Sequence, residues 1–309
     1  MKTALIFPGQ GSQYIGMGLE FYESYSESKE IYSQLNHTLN RDLTKLIFYG
    51  NENELSETQN SQPAIMATSI AIFRALVSEN LLPEGSFQAV AGHSLGEYSA
   101  LVANGGIGFN DSVRLLKIRS KAMQDSMPVG TGGMIALIGC ERSIIDNVIK
   151  SASKDGKIYL ANDNADGQIV LSGEINAIEH VLENSKKLNI RRAIKLPVSA
   201  PFHCELMRYA AQKLQVEINK INFNKFDADL YSNVTSMKCT ENEIAQLLID
   251  QVVSIVKWRE IMQNMIIDGY SKFIEIGPGN VLTNLIKRMS KNIHAFSISK
   301  IEDLKKLEI

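Results

Sequence analysis

Short runs of apolar residues alternate along the chain with longer stretches in which apolar side chains return every three or four positions. The short runs, most of which end at glycine, proline or asparagine, predict buried strands, and the helically spaced stretches predict helices. Predicted strands cover residues 3–7, 87–91, 134–138, 158–161, 168–171, 191–196, 229–232, 273–276 and 293–297. Predicted helices cover residues 62–77, 97–102, 112–127, 141–152, 176–188, 241–253, 258–267 and 281–289, and a polar helical cover spans 18–49.

The order of these elements indicates two structural units. In the outer parts, strands alternate with helices, which favours a mainly parallel sheet covered on both faces. The middle part reads β-α-β-β-α-β, the order of a ferredoxin-like unit. We therefore predict the α/β class: a large α/β-hydrolase-like catalytic subdomain (1–127 and 198–309) with an inserted ferredoxin-like subdomain (128–197) that begins at a glycine cluster.

Composition narrows the class of protein. The 309 residues are 44% hydrophobic and 21% charged, as in soluble enzymes, and the net charge of −2 gives no electrostatic reason to expect nucleic-acid binding. The three cysteines, Cys140, Cys204 and Cys239, are widely spaced, which argues against a disulfide framework or a zinc site. No apolar run is long enough to span a bilayer, and Pro8 interrupts the first one too early for a signal peptide. We expect a cytoplasmic protein with no membrane contact.

The pentapeptide Gly92-His93-Ser94-Leu95-Gly96 lies between a predicted strand and a predicted helix. In that context G-x-S-x-G forms a nucleophile elbow, a strained turn that presents the serine hydroxyl above the sheet. The flanking glycines let the strand and the helix pass closely, and the next N–H lies at a helix N-terminus, where it can stabilise an oxyanion. The alternative is a glycine-rich turn with an incidental serine.

A serine hydroxyl needs a base to act as a nucleophile. His93 is a poor candidate for this base, because successive side chains at an elbow point apart. It is better suited to a structural role that supports the elbow. His203 is a better candidate, since Pro197 and Pro201 fix the loop that carries it, although its position alone leaves catalysis and structure equally open. No motif marks a third, carboxylate member of a triad. The remaining histidines lie in charged or apolar segments: His37, His180 and His294.

Two further segments are ambiguous when they are considered alone. The loop Gly9–Gln13 lacks the G-K-[ST] of a nucleotide-binding loop, but its backbone N–H groups and the Gln10 amide could approach another site. Arg119 lies on a predicted helix whose cations alternate along the sequence, and an isolated arginine of this kind is usually a solvated surface residue.

Taken together, the motifs point to one family. Six segments agree with it in sequence and spacing: Phe7–Gln13, Gly92–Tyr98, Arg119–Gln124, Pro201–His203, Gln251 with Val256–Trp258, and Ile276–Gly279. Over essentially its whole length, the chain resembles the malonyl-CoA:acyl carrier protein transacylase family.

The resemblance implies a role for each matching residue. Ser94 corresponds to the acyl-accepting nucleophile, and His203 to the general base that later protonates the leaving thiolate. Gln251 corresponds to the residue whose main-chain carbonyl holds the histidine, which would explain the missing carboxylate. The backbone N–H groups of Gln10 and Leu95 correspond to the oxyanion hole.

The resemblance also reverses the interpretation of Arg119, which corresponds to the arginine that binds the free carboxylate of the malonyl group. Only arginine offers the planar pair of donors that a carboxylate prefers. Phe202, beside the histidine, has the bulk to crowd an α-methyl branch and would favour malonyl over methylmalonyl groups.

The implied reaction is a two-step transfer that needs no metal and no redox cofactor. Malonyl-CoA acylates the serine, CoA leaves, and the phosphopantetheine thiol of acyl carrier protein accepts the malonyl group for fatty-acid synthesis. We expect a monomer. A basic rim could attract the acidic carrier, although a solvated charged face is the simpler interpretation of these residues: Lys186, Lys187, Arg191, Arg192 and Lys195.

Three alternatives remain at this point. A serine thioesterase or esterase would share Ser94 and His203 but give Arg119 no role. A non-catalytic carrier-binding protein could keep the fold without the chemistry. A discrete polyketide synthase could use the same malonyl transfer.

Overall fold

The computed structural model describes residues 1–198, 200–290 and 292–307. Its strands, in chain order, are β1 (Lys2–Phe7), β2 (Ala89–Gly92), β3 (Gly132–Ile138), β4 (Ile158–Ala165), β5 (Gln168–Glu174), β6 (Arg192–Lys195), β7 (Asp229–Tyr231), β8 (Lys238–Cys239), β9 (Tyr270–Ile276) and β10 (His294–Ile298). Its α-helices are α1 (Leu19–Ser24), α2 (Ser26–Leu39), α3 (Leu43–Tyr49), α4 (Glu52–Ser56), α5 (Thr58–Ser78), α6 (Gly96–Ala103), α7 (Phe109–Asp125), α8 (Ile145–Ala152), α9 (Ile175–Asn184), α10 (Arg208–Ile218), α11 (Ile244–Gln251), α12 (Trp258–Ile267) and α13 (Val281–Ile286). Short 3₁₀ turns lie at Arg142–Ile144, Glu205–Met207 and Ile301–Lys306.

The first sheet has the strand order β10-β9-β1-β2-β7-β8, in which every pair is parallel except β7 with β8. Side chains of β1 alternate between its two faces: Leu5 and Phe7 enter one apolar core, and Ala4 and Ile6 enter the other. Because both faces are covered, the strands read as continuous apolar runs. The predicted mainly parallel sheet is confirmed.

The second sheet has the order β4-β5-β3-β6 and is antiparallel throughout. Together with α8 and α9, which pack on it in a separate apolar core, it has the element order of a ferredoxin-like unit. The predicted second unit is confirmed as a separate antiparallel sheet, whereas its exact boundaries at residues 128 and 197 remain a prediction.

Several helix boundaries differ from the predictions. The helical cover over 18–49 is three helices. Helix α2 ends at Leu39, and the residue that follows it, Asn40, lies in the left-handed region with φ 53°. Helix α7 begins at Phe109, three residues before the predicted start at residue 112. It follows Gly108 without a side-chain cap, and Asp111 pairs with Arg114.

Helix α5 begins at Thr58, four residues before the predicted start at residue 62, so Pro63 lies inside the helix and not in its first turn. A proline cannot donate to the carbonyl four residues earlier. That carbonyl, of Gln59, accepts a hydrogen bond from Arg41 Nη2 at 3.3 Å instead. The compensating donor comes from a segment 18 residues away, and no local pattern could reveal it.

In the part of the chain that the structure describes, no helix combines the length and apolarity needed to cross a bilayer.

Candidate active site

Ser94 occupies the tight turn that joins β2 to α6. Its φ is 53°, a left-handed conformation that a residue with a Cβ adopts only under strain. Two flanking glycines permit the turn: a Cβ on Gly92 would lie 1.9 Å from the Gly96 carbonyl carbon, and one on Gly96 would lie 2.3 Å from the Phe7 carbonyl oxygen. The geometry is that of a nucleophile elbow.

Gly96→Ala is therefore expected to lower the free energy of unfolding by at least about 1–3 kcal/mol, because the backbone of β1 cannot yield to the added methyl group. Gly133→Ala is a matched control, since a Cβ there would meet its nearest neighbour, Ile175 Cδ1, at an ordinary 3.6 Å. Urea unfolding of both variants measures the difference. Equal midpoints for the two would show that the close approach at the elbow is not needed for stability.

Ser94 and His203 are in direct contact. The serine Oγ lies 2.7 Å from His203 Nε2, and His203 Nδ1 lies 2.9 Å from the main-chain oxygen of Gln251. A carbonyl can only accept, so Nδ1 carries the proton and the Nε2 lone pair faces the serine hydroxyl. The loop after Pro201 holds His203 at φ 61°, just before the 3₁₀ turn at Glu205–Met207.

The imidazole is buried, with 4% of its surface exposed. Burial, followed by the positive charge of Arg119, lowers the pKa of His203 to about 3, against the opposing effect of the hydrogen bond to the Gln251 carbonyl. The ring is therefore neutral at physiological pH and can accept the serine proton.

Arg119 is not a surface residue. Only 1% of it is exposed, and its guanidinium donates to Gln62 Oε1 at 2.7 Å, to Gln251 Oε1 at 2.9 Å and to Ser94 Oγ at 3.0 Å. Tyr98 lies beneath it, with the ring centre 5.8 Å from Cζ. Burial lowers the pKa of this guanidinium, but an arginine remains charged in proteins. The structure thus places a buried cation beside the nucleophile.

A small cleft opens onto these groups between the two sheets. Its volume is about 180 Å³, below the roughly 300–1,000 Å³ of pockets for drug-sized ligands, which suits a short acyl group. Residues of both units line it, among them Gln10, Ser94, Arg119, Asn162 and Phe202.

Two backbone donors near the serine are uncommitted. The N–H groups of Gln10 and Leu95 donate to no acceptor in the described part of the chain. Leu95 directly follows the serine and precedes α6, where free donors are expected. The Gln10 side chain is anchored separately, through Nε2 to Thr58 Oγ1 at 3.4 Å.

His93 lies on the other side of the elbow. Its Nε2 is 2.8 Å from Asn164 Oδ1 of β4, and its ring centre is 5.6 Å from that of Trp258. This contact connects the elbow to the inserted unit. The histidine that contacts the serine hydroxyl is His203.

Comparison with known proteins assigns the family. The sequence model of the acyl transferase domain matches residues 4–307. A malonyl CoA-acyl carrier protein transacylase of Bacillus subtilis (strain 168) is 39% identical over 305 residues, which are 98% of this chain and 95% of the relative. The chain is a member of the malonyl CoA-acyl carrier protein transacylase family. It is accordingly an acyltransferase.

Solved structures of this transacylase family share the fold. An acyl-carrier-protein-S-malonyltransferase from Bartonella henselae superposes with a TM-score of 0.96 at 38% identity, over 100% of both chains. A malonyl-transacylase solved in complex with its type II PKS acyl-carrier protein gives 0.95 at 35% identity, over 99% of both chains.

Sequence reasoning missed three buried residues at the site of this transacylase-family chain. Gln62 accepts from Arg119. Asn233 accepts from the Ser94 N–H and donates to the Gly92 carbonyl, and Glu97 accepts from Gln251. Glu97 belongs to the elbow motif and could have been noticed there as a buried charge. Gln62 and Asn233 lie in otherwise unremarkable segments, and no local signal marks them.

Proposed function

We propose that this enzyme transfers the malonyl group of malonyl-CoA to the phosphopantetheine thiol of acyl carrier protein through a malonyl-Ser94 intermediate. The observation that carries the proposal is the position of Arg119, a buried guanidinium 3.0 Å from a serine that is itself hydrogen-bonded to a neutral histidine. An acyl group with a free carboxylate needs both features at once.

In the first half-reaction, His203 Nε2 takes the Ser94 proton as Oγ attacks the thioester carbonyl. The oxyanion that forms is stabilised by the uncommitted N–H groups of Gln10 and Leu95. When the tetrahedral intermediate collapses, the C–S bond breaks and His203 returns the proton to the CoA thiolate. In the second half-reaction the carrier thiol loses its proton to His203 and attacks the malonyl ester. The ester C–O bond then breaks, and His203 returns the proton to Ser94 Oγ.

Arg119 supplies the specificity in this proposal. Arg119 Nε has no acceptor among the described residues, so the guanidinium has a donor left for a carboxylate, and Gln62 and Gln251 hold the group in place. A neutral acetyl group would leave the buried charge without a partner, which is costly. Phe202 lines the same cleft and is 5% exposed, so it has little room to yield to an α-methyl branch.

The proposed partner is acyl carrier protein, for service in fatty-acid synthesis. Support comes from the relatives named as acyl carrier protein transacylases and from the solved complex with a carrier. The exposed cations after α9 and on β6 are proposed to attract the acidic carrier, because β6 leads directly to Leu196 in the cleft wall.

Transfer can be distinguished from hydrolysis by following the fate of the malonyl group. With malonyl-CoA and holo acyl carrier protein, we expect malonyl carrier to form much faster than free malonate, since the small cleft shields the acylated serine from water. Mass spectrometry of the carrier and chromatography of malonate measure the two products. Malonate as the main product would favour the thioesterase alternative. The absence of both products would favour a carrier-binding protein without catalysis.

A further inference from the structure

The strained peptide of Ser94 is held from both sides by two buried amide side chains. Asn233 Oδ1 accepts from the Ser94 N–H at 2.8 Å, and Gln251 Nε2 donates to the Ser94 carbonyl at 3.0 Å. Asn233 Nδ2 also donates to the Gly92 carbonyl at 2.7 Å. These contacts fix the backbone on which the nucleophile stands.

Asn233 and Gln251 are both bound by a single carboxylate, that of Glu97, which is fully buried in the first turn of α6. Its Oε1 accepts from the backbone N–H of Asn233 at 3.1 Å, and its Oε2 accepts from Gln251 Nε2. Each carboxylate oxygen therefore serves one of the two residues that hold Ser94.

The carboxylate also decides which way the Gln251 amide faces. Because Nε2 is directed to Glu97 and to the Ser94 carbonyl, Oε1 is left to accept from Arg119 Nη2 at 2.9 Å. The main-chain oxygen of the same glutamine accepts from His203. One residue thus contacts the nucleophile's peptide, the cation and the base.

Glu97 is in addition a negative charge that interacts with the positive charge of Arg119. Arg119 forms no ion pair among the described residues, and Glu97 reaches it only through the Gln251 amide. The other titratable groups that face Glu97 are Tyr98, on the same helix, and Cys239, on β8. The relay leaves the guanidinium free to bind a carboxylate while keeping its orientation.

We propose that Glu97 is a positioning residue for acyl transfer: through Asn233 and Gln251 it orients Ser94, Arg119 and His203 together. This inference rests on the proposed malonyl transfer. A neutral glutamine at position 97 has one acceptor and one donor group, so its NH₂ would face either the Asn233 N–H or the Gln251 amide. In the first orientation two donors would oppose each other. In the second, the Gln251 side chain would turn its own NH₂ towards Arg119.

The protonation state of Glu97 supplies a readout that a purely structural role would lack. Burial raises the pKa of Glu97 to about 7, while hydrogen bonds from Gln251 and Asn233 and the charge of Arg119 act in the opposite direction. Only the ionised carboxylate offers an acceptor to both the Asn233 N–H and the Gln251 side-chain amide. The site is therefore assembled above the pKa of Glu97 and loosened below it. His203, with its pKa of about 3, does not titrate in this range.

The test compares Glu97→Gln with Glu275→Gln. Glu275 is also fully buried, and its oxygens accept from the backbone N–H groups of Leu282 and Thr283 at the start of α13, away from the cleft. We expect Glu97→Gln to lower kcat/KM for acylation by malonyl-CoA roughly 10- to 100-fold and to reduce the preference for malonyl-CoA over acetyl-CoA. Glu275→Gln is expected to lose thermal stability but to keep both values.

The pH profile of acylation completes the experiment. The wild-type rate is expected to rise through an apparent pKa of about 7, and Glu97→Gln is expected to lack that rise. If the glutamine variant does not fold, Glu97→Asp keeps the charge at shorter reach and should show the same loss of malonyl preference. Wild-type transfer is measured in parallel to separate the two proposals. If the wild type transfers malonyl and either variant keeps the wild-type rate, preference and pH profile, the role of Glu97 is overturned while the proposed function stands.

Discussion

Replacing Ser94 with alanine is expected to reduce malonyl transfer by about 10⁴- to 10⁶-fold, the range over which loss of a serine nucleophile acts in enzymes of this chemistry. The reason is that, among the described residues that line the cleft, Ser94 supplies the hydroxyl that contacts a histidine, with its Oγ 2.7 Å from His203 Nε2. Steady-state transfer to holo acyl carrier protein measures the effect.

Ser99→Ala is the matched control for this variant. Ser99 lies on α6, five residues after the nucleophile, and its buried Oγ has no hydrogen-bond partner among the described residues. We expect it to retain wild-type transfer and wild-type stability. If Ser94→Ala kept more than a small fraction of the rate, the elbow serine would not be the acyl acceptor, and the two-step mechanism would have to be abandoned.

The second large effect is expected at Arg119. Arg119→Ala should lower kcat/KM for malonyl-CoA by roughly 100- to 1,000-fold, because it removes a buried cation that pairs with the substrate carboxylate. Acetyl-CoA has no carboxylate, so its smaller kcat/KM should fall much less. The loss should not be zero, since Arg119 also donates to Ser94 Oγ. Parallel acylation assays with the two thioesters give the ratio.

Arg114→Ala, on the same helix α7, is the control. That side chain is 60% exposed and pairs only with the exposed Asp111 among the described residues, so its removal should change neither thioester's rate. Equal losses for malonyl-CoA and acetyl-CoA in Arg119→Ala would remove the carboxylate-binding role and leave Arg119 as a support for the serine.

Local patterns were enough to predict the elements that position the nucleophile. The strand, the turn and the helix at the elbow depend on contacts between residues that are close in sequence. The apolar run before Gly92 and the small residues of the elbow were therefore enough to predict them. The two sheets were likewise predictable, because the order of strands and helices follows directly from the order of apolar patterns.

The environment of Arg119 was not predictable in the same way. Its partners Gln62 and Gln251 are 57 and 132 residues away in the sequence, and an arginine on an amphipathic helix gives no sign of being buried. Only the resemblance to a family indicated its role. Gln62 and Asn233 were missed for the same physical reason: polar groups that satisfy one another inside a protein follow the tertiary fold and leave no periodic signal.

The covalent intermediate offers the most direct test of the central claim, that Ser94, His203 and Arg119 form one malonyl-transfer site. Intact mass spectrometry of the protein mixed with malonyl-CoA should show one added malonyl group, mapped by peptide digestion to Ser94. Addition of holo acyl carrier protein should remove that group and place it on the carrier. An unmodified protein, or a malonyl group on another residue, would contradict the account.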